Sequence, residues 1–491
     1  ALSGMLVSYQ MNVIFYDAMI MLPIVIVYLE QLLDGEAPYR YSFVLGLAVL
    51  LQFYMGYMIS IFVALYACFY VSPRLMVEGD LKTKLKNYVQ PLLQAVIYSI
   101  IGIGTAAVLL LPVFFNLMES KGQIGGGMTF SFAFQINPLD ILAKMVIGGF
   151  DTTSGWSAGP NLPNIYIGAL GFLGFIFYFL SKNVSKVKKW AAGIVTLVFL
   201  TSFVNEFVSK IWHMGQNPAG FFFRFSWLFS FFMLLLAYQA VKERPVVSKW
   251  TNLAIGVGLA LSVSYIQSKS YTFIAKVQPE AITNYFSKNV FLPLLVLVVL
   301  GGLGFYTYWT KSQKSQREKM ILIGVTSVFI VIAFLLLKAG YLLTQVSLTV
   351  IAYLVVLLVL NFKLSRFAVV IVSLVSILEF GYNAYLSQVT LGYDNVNKFS
   401  DATVSVKRVT DNIQENSDQK FYRIASDFGY SRTVPSLISY PGLSTFSSSL
   451  ERSTMDHFAF MGDLGVNAST QYANGTPLTD ALYGVRYFMS V

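Results

Sequence analysis

Long apolar runs separated by short polar loops fill the first four-fifths of the chain, and the pattern changes after residue 387. Runs near 91–115, 164–181, 191–208, 221–241, 251–268, 290–310, 320–338, 345–361 and 367–386 reach the roughly 18 to 20 residues that carry a helix across a hydrocarbon core about 30 Å thick. None alternates apolar and polar positions as barrel strands do, so the pattern predicts membrane-spanning helices. Residues 18–33 make one further span. The stretch 41–71 is too long for one helix and short for two. Its run YMGYM, Tyr54 to Met58, offers a break and predicts a tight hairpin, with the Arg40 loop cytoplasmic and residues 1–17 near the outer face. The alternative is one long tilted helix, which would put Asp17 inside.

Composition agrees with this pattern. The 491 residues are 56% hydrophobic and 12% charged, with a mean hydropathy of +0.64, outside the range of an ordinary soluble domain. Basic residues orient the spans: every second loop carries a cluster, such as Arg74, Lys82, Lys84 and Lys86, then Lys182, Lys186, Lys188 and Lys189. The positive-inside rule therefore places 72–90, 182–190, 242–250, 311–320 and 362–366 in the cytoplasm. The loops 116–163, 209–220, 269–289 and 339–344 face outside. The net charge of +10 is spread over many loops instead of one face, which makes it a topology signal and argues against nucleic acid as a partner.

After residue 387 the chain holds 8 basic and 10 acidic residues, against 26 and 14 before it. Residues 1–386 read as a polytopic transmembrane domain and 387–491 as a small extracytoplasmic α+β domain, in a multi-pass protein of the cell membrane. There FYRIA and YGVRYFMSV read as strands, GYSRTVPS and SYPGLSTFSSS as Ser-rich loops, and 453–464 as a short helix. The sequons at Asn467 and Asn474 read as turns. Ala1 lies inside an apolar segment without an initiator Met or a cleavable signal, and the last strand looks cut, so the chain reads as a fragment lacking N-terminal helices and part of its C-terminal domain.

Few residues carry chemistry. Cys68, the single cysteine, can form no intramolecular disulfide and reads as a small buried hydrophobe. With only His213 and His457 there is no zinc cluster, and no metal ligand is assigned; use of a divalent metal stays open. A P-loop, GxGxxG and GxSxG in a suitable context are absent. In WHMGQNPAGFFFRFSW, residues 212–227, Phe221 opens a helix and sets Arg224 about one turn below the outer surface, among aromatic side chains. Two readings compete: an interfacial arginine snorkelling to headgroups, or a cation facing a cavity to neutralise an anion such as a phosphate. His213 in the wetter loop, with Gln216 and Asn217, adds donors to the second reading.

Two acids are supporting candidates. Asp17 follows Phe15 and Tyr16 at a helix entrance, where complementing the helix dipole is the simpler role. Asp151 shares a long outer loop with Trp156, in a Gly-, Ser- and Asn-rich setting that suits sugar binding and equally suits a solvated connection. Glu379 and Asn383, one turn apart in the last span, read as helix-to-helix hydrogen bonding. The glycines at 122 and 125–127 read as a flexible tether.

The segments WHMGQNPAGFFFRFSWLFSF and ALSGMLVSYQMNVIFYDAMIMLPIVIVYLE, the QFYMGYM break and the tail FYRIA…GLSTFSSS…GTPLTDALYGVRYF together resemble the bacterial YfhO family, over essentially the whole chain. The resemblance implies a GT-C-like helical bundle and a glycosyltransferase that takes a sugar from a polyprenyl-phosphate donor to a cell-wall polymer, most simply the lipoteichoic acid of a Gram-positive bacterium. It implies a polyprenyl-phosphate-sugar synthase and a flippase as partners. On it, Arg224 and His213 are the cations for the donor phosphate. The family's principal acid lies in a first outer loop upstream of this chain and is assigned to no position here. Two other classes stay open: a transporter or flippase of a lipid-linked glycan, for which no internal repeat is visible, and a non-catalytic assembly protein.

Overall fold

The structure is a computed structural model that describes residues 3–120, 131–149, 162–218, 220–243, 249–269, 271, 344–361, 366–390, 395–429, 431–466 and 468–490. Contacts divide it into two units, Ala1–Ile103 with Phe130–Leu391, and Gly104–Thr129 with Gly392–Val491. The first unit is helical. Numbered along the chain, it holds α1 Gly4–Ser8, α2 Tyr16–Leu33, α3 Pro38–Leu51, α4 Phe53–Val71 and most of α5 Leu81–Thr105. After α6, Ala107–Glu119, which groups with the second unit, come α7 Gly168–Leu180, α8 Lys186–Val204, α9 Glu206–Trp212, α10 Ser226–Glu243, α11 Lys249–Ser268, α12 Thr344–Asn361 and α13 Arg366–Thr390. Among the described residues five helices are long and apolar enough to cross a membrane: Val13–Leu33, Phe53–Met76, Leu81–Thr105, Lys186–Val204 and Ala368–Val389. The predicted spans at 290–310 and 320–338 lie outside the described residues.

The structure moves several boundaries. The 41–71 stretch is indeed two helices, but they part at Gln52 and not within Tyr54–Met58. Gln52 is extended, with φ −153° and ψ 92°, and its side chain accepts the Tyr54 N–H, capping α4. Gly56 then lies so close to α3 that a Cβ would come within 2.8 Å of the Val49 Cα; only glycine lets the two helices fold back here. The far end of α4 meets the end of α2, where Tyr70 Oη donates to Asp34 Oδ2 (2.8 Å), so α3 and α4 run antiparallel as a hairpin. The predicted 91–115 span is divided at Ala106 between α5 and α6. Cys68 is exposed on α4: in a spanning helix an apolar residue can face lipid as readily as the core, so an apolar run does not imply burial.

Aromatic rings fill the middle of this unit. Trp212 stacks on Phe225 at 4.9 Å and on Phe199 at 5.2 Å, and Phe203 stacks on Phe225 at 5.2 Å. α7 and α10 approach closely because Gly174 faces Ala237, where a Cβ would meet the alanine methyl at 2.8 Å.

In the second unit the expected strands are present. β1 Arg423–Ser426 pairs in parallel with β5 Val485–Met489, and β2 Thr445–Phe446, β4 Ser469–Gln471 and β3 Leu464–Val466 form an antiparallel sheet in that order. The expected short helix is Arg452–Phe460. A 21-residue helix, Val396–Asn416, has no counterpart in the sequence reading, because its mostly polar surface hides a narrow apolar stripe that includes the buried Val406.

Candidate functional site

The segment between α9 and α10 does not continue as helix. Asn205 caps α9 by accepting the Val208 N–H at 3.1 Å, and α9 ends at Trp212. Phe221 and Phe223 then have φ of 52° and 56°, which no right-handed helix allows, so α10 begins at Ser226 and not at Phe221 as expected. Met214 is also left-handed, at 56°; three of the six non-glycine residues with positive φ in the described structure fall in this one turn. Such backbone costs of order 1 kcal/mol or more per residue and gathers at functional sites.

The Arg224 side chain helps hold the turn. Its Nε donates to the Phe221 carbonyl (3.2 Å) and its Nη2 to the Gly220 carbonyl (3.0 Å). The guanidinium lies 5.2 Å from the centroid of the Tyr54 ring, 5.6 Å from Phe15 and 6.0 Å from Phe221. These rings come from α4, from the turn before α2 and from the Arg224 turn itself, so three separate stretches of chain build one cage. Ring faces attract the cation but do not neutralise it. Among the described residues no carboxylate lies within ion-pair distance of Arg224, although Lys210 pairs with Glu206 at 2.8 Å and Arg74 with Asp34 at 3.1 Å.

His213 is not in a wet loop. It is 4% exposed, packs 5.7 Å from Phe225, and shares a 2.6 Å hydrogen bond between Nδ1 and the Tyr54 hydroxyl. Burial, and then the Arg224 charge, push its pKa down to about 3. His213 is therefore a neutral imidazole and not the second cation expected from the sequence. Because a phenol is the stronger acid, Tyr54 donates to Nδ1 and leaves the proton on Nε2, which is buried with no hydrogen-bond partner.

The other predicted residues scatter. Gln216 is half-buried, and its backbone N–H donates to the His213 carbonyl at 3.3 Å. Asn217 is exposed and donates from Nδ2 to Glu206 Oε1 at 3.0 Å, which, after the Lys210 bond, helps hold the Glu206 carboxyl below its ordinary range. Asp17 is exposed in the first turn of α2, where its charge complements the helix dipole, two residues beyond the Phe15 of the cage. Asp151 and Trp156 lie outside the described residues, as do the glycines of the predicted tether.

Glu379 bonds helix to helix as expected, from α13 to the first turn of α7, whereas Asn383 reaches irregular backbone instead. Glu379, 3% exposed, accepts the Tyr166 hydroxyl at 2.7 Å and the Ala169 N–H at 2.8 Å, capping the N-terminus of α7. Asn383 accepts the Gly148 N–H (2.8 Å), and Thr349 accepts the Ile147 N–H (3.0 Å). Lys144, equally buried, donates to the Gly149 carbonyl (2.8 Å) and to Asn164 Oδ1 (3.1 Å). Irregular backbone inside the bundle is thus satisfied by polar side chains, the condition for its existence there. The sequence reading missed Lys144, Tyr54 and Phe15; a lysine inside the apolar stretch LDILAKMV was the one available signal.

An apolar helical unit with several spans, a caged cation at the end where α2 and α4 begin, and a separate α+β unit define a polytopic membrane protein with a charged site. The chain belongs to the family of the bacterial membrane protein YfhO, whose family model matches residues 1–491. No curated protein and no solved structure matches it.

Proposed function

We propose that this chain is a glycosyltransferase of the bacterial cell membrane. It moves a sugar from a polyprenyl-phosphate donor to an extracytoplasmic cell-wall polymer such as lipoteichoic acid, with 387–491 outside. The unpaired Arg224 guanidinium carries the proposal. A partly buried cation with no carboxylate partner among the described residues is costly unless an anion completes it, and the backbone strain of the turn that presents it is of the kind that gathers at functional sites. A phosphate at the membrane boundary, with its isoprenoid among the surrounding apolar side chains, meets both demands.

In the transfer, the bond between the sugar's anomeric carbon and the phosphate oxygen breaks, and the phosphate leaves with the electron pair. The acceptor oxygen forms the new bond and gives up its proton to a base. Arg224 stabilises the charge that grows on the leaving phosphate, which is where fixed cations contribute most. His213, being neutral, contributes hydrogen bonding only. Asp17, beside the cage in sequence, and Asp151 remain the candidates for the base, with Trp156, Gln216 and Asn217 as sugar contacts.

Transfer of labelled sugar from polyprenyl phosphate in membranes tests the proposal. Arg224→Met is expected to lose tenfold or more in turnover, and Arg224→Lys to keep part of it, because lysine preserves the charge and loses the two parallel donors. Normal turnover by Arg224→Met at equal protein level would remove the phosphate role.

A further inference from the structure

Four buried side-chain nitrogens have no hydrogen-bond partner among the described residues: Gln10 Nε2, Asn12 Nδ2, His213 Nε2 and Trp227 Nε1. All four come from two short stretches of chain, 10–12 and 213–227. These stretches pack against each other: the Tyr9 ring meets Phe221 edge-on at 5.0 Å, the Tyr9 hydroxyl donates to the Phe222 carbonyl at 3.4 Å, and Arg224 lies over Phe15. Gln10 is held from its other side, where Oε1 accepts from Gln388 Nε2 at 2.6 Å. Buried donors left unpaired are rare because each forfeits its hydration, and four on two stretches that pack against each other call for an acceptor.

The chemistry of the group they suit is narrow. All four atoms are donors, and the charged group on the second stretch, Arg224, is a donor as well. A ligand bearing hydroxyl protons would need acceptors in return, whereas a phosphodiester offers only acceptors. His213 and Trp227 are each about nineteen-twentieths buried, so their N–H groups are shielded from water and reach only something that enters the site.

Building on the transferase reading, we infer that Asn12 and Trp227, with Gln10 and His213, are further binding residues for the donor's phosphate, and that segment 9–15 forms the second wall of the Arg224 site. The N–H groups supply hydrogen bonds to the non-bridging and bridging oxygens while Arg224 supplies charge. Recognition is then of the phosphate linkage, whichever sugar it carries.

Purified full-chain protein in detergent, titrated with farnesyl phosphate and separately with farnesol, tests this. Trp227→Phe keeps the ring and deletes the N–H, and Asn12→Leu keeps the shape and deletes the amide. Each is expected to bind farnesyl phosphate about tenfold more weakly, which corresponds to one hydrogen bond of about 1.4 kcal/mol, with farnesol binding unchanged. Thermal stability without ligand is expected to hold or rise, since an unpaired buried donor has been removed. Parent-like affinity for farnesyl phosphate in both variants, or equal losses for farnesol, would overturn the inference. If the variants bind normally while Arg224→Met abolishes transfer, the donor row fails and the transferase reading stands. If farnesyl phosphate binds through these donors and no sugar is ever transferred, the transferase reading fails and the donor row stands.

Discussion

Two arginines at opposite ends of α4 show what a partner does to a charge. Arg74, just past its last turn, has its charge paired: Nη2 donates to Asp34 Oδ1 at 3.1 Å and to the Leu33 carbonyl at 2.5 Å, and Tyr70 holds the other Asp34 oxygen. Arg224, beside the first turn of α4, meets ring faces and two carbonyls of its own turn and, among the described residues, no acid. The first arginine is consumed by the fold and needs nothing further. The second keeps an uncompensated charge in a setting that cost backbone strain to build. Glu379 extends the comparison to acids, because its bonds to α7 and Tyr166 leave it a structural group despite its burial.

The largest effect should come from a charge the fold has consumed. Glu379→Ala leaves the Ala169 N–H and the Tyr166 hydroxyl buried and unpaired, and is expected to lower stability by about 2 kcal/mol or more in detergent unfolding, with Glu379→Gln losing less because an acceptor remains. A neutral result for Glu379→Ala would show that the α7 cap is not formed by this carboxylate.

A smaller effect follows from His213. An unfolded histidine titrates near 6.5 and the folded one near 3, so between these values the unfolded chain binds the proton first. Stability is then full above about pH 6.5 and falls as the pH drops toward 3. Unfolding measured across that window should show a slope that His213→Phe reduces; an unchanged slope in that variant would contradict a neutral, buried His213.

The smallest effect is expected at Arg74. Its ion pair is half-exposed, so Arg74→Met should cost no more than about 1 kcal/mol of stability and leave turnover per folded molecule intact. Loss of turnover there, at matched folded protein, would erase the distinction between the two arginines.

Spans such as 18–33, 191–208 and 367–386 were legible in the sequence because lipid demands apolar surface over a fixed length, whereas the runs at 164–181, 221–241 and 345–361 form shorter apolar helices. What hydropathy cannot see is where a single polar residue intervenes. Gln52 ends α3 by capping the next helix, while the more conspicuous Gly56 only makes room for the crossing. The start of α10 was misplaced because FFFRF has a helix-compatible composition, and the Arg224 bonds to Gly220 and Phe221 carbonyls form only in the folded turn. Arg224 itself was visible as a cation among aromatics. Its cage was not, since Phe15 and Tyr54 come from more than 150 residues away. His213 was misjudged for the same reason: Gln216 and Asn217 make its loop look polar, and its neighbours in space are Tyr54 and Phe225.

The direct test of the distinction is the affinity of farnesyl phosphate for Arg224→Met and for Arg74→Met, measured side by side on full-length, folded protein. The account predicts a loss of tenfold or more for Arg224→Met and parent-like binding for Arg74→Met. Equal affinity in the two variants would contradict it.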